Sequence, residues 1–266
     1  MHRAWNPTRR NKNIGTKAQG HGNDNRMAVP EAWGKIFYEK LTTHVLVRRD
    51  IAGRDMRFFV EPTRSDCFYA CSIDDICRVL GHCPPEVLSA FDFIVLRQPT
   101  RKQRILRPVW GRAIFSFEIR QQCGAAIVIE AHNLDGYQWP KSLSQESQRE
   151  LARLQQDGHA IARTRQGYSI SSDSPSLRHT ILYRTLLHEI GHHVDHKHST
   201  TEEWADKTKA TKEDYAHRFG AELYARLEQQ AVVPFSPILD EAVMAQDGLD
   251  LAWFCPPTLR DSPSSP

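Results

Sequence analysis

The sequence has no apolar run approaching 18 residues, so it offers no transmembrane helix. Its opening residues, Met1 to Pro7, lack the apolar stretch of a secretory signal peptide. The expected location is the cytoplasm, or outside the cell by a route that needs no conventional signal peptide. Cysteine is sparse, with six residues in 266, and the C-x2-C pairing of a zinc ribbon is missing. Cys67, Cys71, Cys77 and Cys83 cluster, but their irregular spacing points to reduced, buried thiols. A disulfide within the cluster is expected only if the protein is exported. There is no internal repeat. Beyond the first 30 residues no basic patch is interleaved with aromatics, which argues against nucleic acid as a partner.

What remains is a globular composition, 40% hydrophobic and 25% charged, long enough for one large domain or two small ones. The net charge of +3 is unevenly placed. Residues 1–30 carry Arg3, Arg9, Arg10, Lys12, Lys17 and Arg26 against Asp24 alone, a local +5, and read as a disordered, solubilising basic tail. The rest divides into an N-terminal α+β region at 31–91, a core at 92–231 and a Pro-rich C-terminal tail at 232–266.

Alternation predicts strands at His44–Arg48 and Arg57–Val60, with a turn at Ala52–Asp55. Ser72 with Asp75 reads as a helix cap leading Ile73–Leu80, and Pro84-Pro85 starts a short helix through Phe91. Asp92–Leu96 and Ala125–Ile129 read as strands, and Arg104–Val109 with Arg112–Ile119 as a hairpin. Ser142–Gln156 is a polar helix, and 157–173 a loop with weak strand potential at Tyr168–Ile170. Short helices are expected at Glu202–Thr208 and Leu239–Ala245, and a longer one from Thr211 to about Gln230, with Thr211 and Asp214 as its cap. Strands followed by helices indicate an α+β domain.

The chemistry centres on Leu186-Leu-His-Glu-Ile-Gly-His-His-Val-Asp-His196, which contains the pattern H-E-x-x-H. Ser174-Pro175 supplies a helix start, and no further Pro interrupts the chain to residue 196. Residues four apart on a helix lie about 40° apart around the axis, so His188 and His192 share a face and can share one Zn²⁺. Glu189 sits beside them, placed to take a proton from a bound water. On the same wheel Leu182, Leu186, Leu187, Ile190 and Val194 fall at roughly 120° to 260° from His188. The apolar arc thus lies opposite the ligand face, as a helix with one side in the core and the other on a cleft requires.

Two imidazoles need a third protein ligand, leaving one position for water. Glu213 lies within about 80° of Ala216, Gly220, Leu223 and Leu227 on its helix and so borders the apolar stripe. A carboxylate facing inward is costly unless it is paired or metal-bound. His198 is the rival: His188, His192 and His198 fit H-E-x-x-H-x-x-G-x-x-H, with Asp195 where that layout has Gly and Met244 offered as its Met-turn. Glu213 is preferred, His198 second, with Glu202 and Glu203 as outsiders.

His188-Glu-Ile-Gly-His-His-Val-Asp195 followed by Glu213-Asp-Tyr-Ala-His-Arg-Phe219 resembles a gluzincin metallopeptidase of the lethal-factor type, H-E-x-G-H-x-x-D then E-x-x-A-x-x-F. The resemblance covers roughly residues 175–230. It implies a zincin-like catalytic core at 92–231, with a mixed or antiparallel sheet packed on the motif helix and a following ligand helix. Ala125–Ile129 would be the edge strand that binds extended peptide. It implies one Zn²⁺ held by His188, His192 and Glu213, Glu189 as general base, and a protein or peptide substrate. Asp195 would hold a ligand imidazole. The family's transition-state tyrosine has no counterpart here; His217, Tyr183 and Tyr215 are candidates for its role. The alternative is a zincin-shaped module that keeps metal for regulation or binding without proteolysis.

Overall fold

The computed structural model describes residues 41–257, apart from 42, 107, 108, 120 and 121. The expected basic tail at 1–30 lies outside the described residues. Strands β1 (Val45–Ile51) and β2 (Arg54–Val60) form an antiparallel hairpin, followed by α1 (Ile73–Leu80) and α2 (Pro85–Leu88). Then come β3 (Phe93–Arg97), α3 (Arg101–Leu106), β4 (Gly111–Ile119) and β5 (Gln122–Glu130). These strands make one five-stranded mixed sheet in the order β1-β2-β3-β5-β4. Both β2 and β5 run parallel to β3, while β4 is antiparallel to β5. Sheet and helices together make an α+β fold. The sheet draws strands from both sides of residue 91, β1 and β2 before it and β3, β4 and β5 after it.

Period-2 alternation builds two cores from the sheet. Phe58, Val60, Ile94, Leu96, Ile127 and Ile129 face the main core with the helices, whereas Phe59, Phe93, Val95, Ala126 and Val128 face a smaller cluster with Phe117 and Ile119. Every residue of β3 is buried, as expected of a central strand flanked by parallel partners.

Two expectations for this region are corrected. Arg104–Leu106, the start of the expected strand Arg104–Val109, is helical, and residues 107 and 108 lie outside the described residues: α3 occupies Arg101–Leu106, begun by a reciprocal cap in which Thr100 Oγ1 accepts from Gln103 N–H at 3.2 Å and Gln103 Oε1 from Thr100 N–H at 2.7 Å. The hairpin partner of Arg112–Ile119 is β5 instead. Ala125–Ile129 is therefore not the edge strand. It lies inside β5 between β3 and β4, and β4 forms the edge.

A second sheet, β6 (Tyr137–Pro140), β7 (Ala160–Arg163) and β8 (Gly167–Ser171), is antiparallel in the order β6-β8-β7, with α4 (Gln145–Gln156) between its first two strands in sequence. The stretch 157–173, expected as a loop, is largely a hairpin, closed by Thr164 and Gly167. Next is one continuous helical segment: α5 (Ser174–Arg178), a π-helical stretch (His179–Thr185) and α6 (Leu186–His198). Asp173, not Ser174, is its cap, accepting from Ser176 N–H at 2.8 Å. The π stretch changes the phase between Leu182 and His188, yet Leu182, Leu186, Leu187, Ile190 and Val194 are all buried in the main core.

The chain reverses through α7 (Thr201–Asp206) and returns as α8 (Lys209–Gln229). The α8 cap is Thr208, accepting from Thr211 N–H at 3.1 Å, so the expected Thr211–Asp214 cap lies within the helix. Residues 232–257 pack against the body, with Val232, Val233, Met244, Leu249 and Phe254 in the main core and α9 at Glu241–Gln246. Asp75 ties this segment to two helices: it closes the α1 capping box and accepts from the Arg178 guanidinium and Ile238 N–H, each at 2.9 Å. No helix among the described residues is long and apolar enough to cross a membrane.

Candidate metal centre

Helix α6 lies beside β4 and β5 and against α8. His193, next to the motif's second histidine, fixes it to the sheet by donating from Nε2 to Ala126 O at 2.9 Å, and burial pushes its ring down to about 4. Two glycines set the spacing. A Cβ on Gly111 of β4 would lie 2.7 Å from Thr185 Cγ2, 3.0 Å from Val128 O and 3.4 Å from Glu189 Cγ. A Cβ on Gly191, inside the motif, would lie 2.9 Å from Ala216 Cα and 3.0 Å from Ala216 O. Their missing side chains let the motif helix approach the edge strand on one side and α8 on the other.

That approach assembles the site. His188 Nε2 and His192 Nε2 are 3.1 Å apart, and Glu213 Oε2 lies 3.3 Å from the first and 3.7 Å from the second. In a tetrahedral zinc site with bonds near 2.05 Å, neighbouring donors are about 3.3 Å apart. The three donors thus form a triangle the size of one tetrahedral face, and this set fits a zinc ion. Both imidazoles and the carboxylate remain partly exposed, with side-chain exposures of 14%, 13% and 33%, which leaves an approach from solvent.

The electrostatics follow from this proximity. Hydrogen bonds from His188 and His192 hold the Glu213 carboxyl well below its ordinary range, against the opposing effect of burial. Burial disfavours a charged His192, but Glu213 and Glu189 outweigh it and raise its basicity. Glu189 is only 7% exposed, and burial lifts its carboxyl above the ordinary range. The Glu213 charge adds to that rise, while His188, His192 and a hydrogen bond from the Ala113 backbone N–H oppose it. A carboxylate raised in this way binds a proton more readily than one in water, as a general base must.

His198 ends α6 and lines a groove with Val194, Tyr215 and Phe219. The helix continues through Asp195, so no turn brings His198 back to the pair. Glu202 and Glu203 sit exposed on α7, where Glu203 closes a capping box with Thr200. Asp195 Oδ1 accepts from Lys207 Nζ at 2.6 Å, which anchors the α6–α8 reversal instead of a ligand imidazole. Neither His188 Nδ1 nor Asp195 Oδ2 has a hydrogen-bond partner among the described residues. Tyr183 turns its hydroxyl to Arg178 and Phe235, and Tyr215 stacks on Phe219. His217 does reach the site: its ring centroid is 4.3 Å from that of His188, and burial with the nearby His188 charge pushes it down to about 4. Of these two close-packing glycines only Gly191 leaves a signal in the sequence, as the one glycine in a long helical pattern.

No disulfide joins the described cysteines: Cys67, Cys71 and Cys83 are buried, and burial pushes the Cys71 thiol well up and those of Cys77 and Cys83 up to about 12. Comparison of the chain with family models, curated proteins and solved structures found no match.

Proposed function

We propose that this chain is a zinc-dependent peptidase with a zincin-like core of the gluzincin kind. The observation that carries the reading is the convergence of His188 Nε2, His192 Nε2 and Glu213 Oε2 to 3.1–3.7 Å, with a buried Glu189 beside them. Helical spacing accounts for two of these groups alone. The third comes from a separate helix across a tightly packed crossing, and a carboxylate between two imidazoles is the donor set a borderline-soft cation takes.

When bound, the ion supplies Lewis acidity for a water and for the scissile carbonyl. His188, His192 and Glu213 would hold it. Glu189 takes the proton of the attacking water on its carboxylate and passes it to the leaving amine nitrogen. Strand β4, paired on only one side among the described residues, runs past Glu189 and offers an edge for an extended peptide.

The test is zinc content and peptide hydrolysis of the wild type and Glu189→Gln. About one zinc per chain in both, with hydrolysis lower by at least about 100-fold in the variant, is the expected result. Absence of zinc from the wild type, or equal hydrolysis by the two, would refute the reading. Zinc without any hydrolysis by the wild type would instead favour the metal-holding module.

A further inference from the structure

The helix that carries Glu213 brings another imidazole to the same place. His217 follows Glu213 by one helical turn, so the two side chains leave α8 on one face. Its ring lies 4.3 Å from the His188 ring, with the planes at 42°. One potential donor atom from each of His188, Glu213 and His217 lies within 4.8 Å of the other two. His188 and Glu213 also belong to the triangle with His192, so the two sets of donors share two residues.

We propose that His217 is a fourth protein donor of this centre, so that one ion is held by three imidazoles and one carboxylate. The inference rests on the metal-centre reading above. Two separate ions are disfavoured because His188 would have to bridge them through both ring nitrogens, which a neutral imidazole cannot do. Reaching the tetrahedral donor spacing of about 3.3 Å from within 4.8 Å would take a rotation about the His217 side-chain torsions.

The consequence is a closed resting site. Structural zinc sites have four protein donors, whereas catalytic ones keep a position for water. Water would enter here when His217 turns away, so this residue would control access to the position that Glu189 serves.

The test uses the full chain loaded with zinc. X-ray absorption at the zinc edge should show three imidazoles in the wild type and two in His217→Ala. Chelator competition should show zinc affinity lower by at least about tenfold in both His217→Ala and His217→Gln. Two imidazoles in the wild type would overturn the proposal while leaving the peptidase reading intact, and this measurement stands even if neither variant folds. Unchanged zinc affinity in two folded variants would also overturn it. A wild type that binds no zinc would overturn both.

Discussion

Replacing Gly191 by Ala tests whether the site depends on the closeness of two helices. The added Cβ would lie 2.9 Å from Ala216 Cα, 3.0 Å from Ala216 O and 3.3 Å from Phe219 Cβ. Two of these neighbours are backbone atoms, which no rotamer change can move aside. Ordinary contact requires about 3.5–4.0 Å, so α8 must retreat by roughly 0.5–1 Å. Glu213 lies one turn before Ala216 on α8 and would move with it. Metal sites tolerate errors of only about 0.2 Å in donor position, so the displacement would spread the triangle beyond what one ion holds well. We expect zinc affinity to fall on the order of 10- to 100-fold.

Stability should move less. Overpacking costs about 1–3 kcal/mol, and the better helix propensity of Ala returns about 1 kcal/mol. The metal-free protein should therefore be destabilised by roughly 0–2 kcal/mol, measured by denaturant unfolding. Chelator competition gives the affinity. A variant that is about 1 kcal/mol more stable, as propensity alone predicts, and that binds zinc like the wild type would refute the idea that this contact sets the donor spacing.

Three further outcomes are expected. Glu213→Ala should lose most zinc affinity and His198→Ala little; the reverse order would return the choice to the three-histidine layout. Asp75→Ala should lower the unfolding free energy by about 3–5 kcal/mol, because it leaves Arg178, with 8% side-chain exposure, without its carboxylate; a loss below about 1 kcal/mol would mean that Tyr183 and Phe235 suffice as its partners. His132 has its basicity pushed down from 6.5 to about 4 by burial, with the Arg104 charge adding to the effect. The unfolded chain takes up that proton below about 6.5 while the folded one does not, so stability is lost as pH falls from 6.5 toward 4, by up to about 3 kcal/mol. His132→Phe should show a correspondingly shallower decline, and parallel curves for the two proteins would rule this out.

The parts of the fold that were legible in the sequence are those fixed by local chemistry. Ser72 and Asp75 mark the start of α1 because a hydroxyl and a carboxyl three residues apart satisfy each other's backbone donors. The same logic holds at Thr100 and Gln103: the residues after them resemble a strand by hydrophobicity, but the cap decides for a helix. Thr208 likewise takes the α8 start from Thr211, since both offer a hydroxyl and the earlier one is followed by the helix-favouring Lys209 and Ala210. Which strand forms the edge was not legible, because it depends on pairing order between segments far apart in sequence. Ala125–Ile129, buried on both faces between β3 and β4, reads from its own residues as a strand with no stated neighbours.

The candidate site divides in the same way. The 3.6-residue period alone puts His188 and His192 on one face, so their meeting was legible. Glu213 is a harder case, because its position relative to the pair depends on how α8 crosses α6. Its wheel position beside Ala216 and Gly220 indicated an inward face, but not what it would face. The small residues carry more information than that wheel position. Gly191 costs helix propensity in the middle of a motif helix, and such a cost is retained where something must come close. Here Ala216 comes close, one turn from Glu213. Gly191 and Glu213 are therefore parts of one device: the glycine sets the distance between the helices, and that distance sets the triangle of donors.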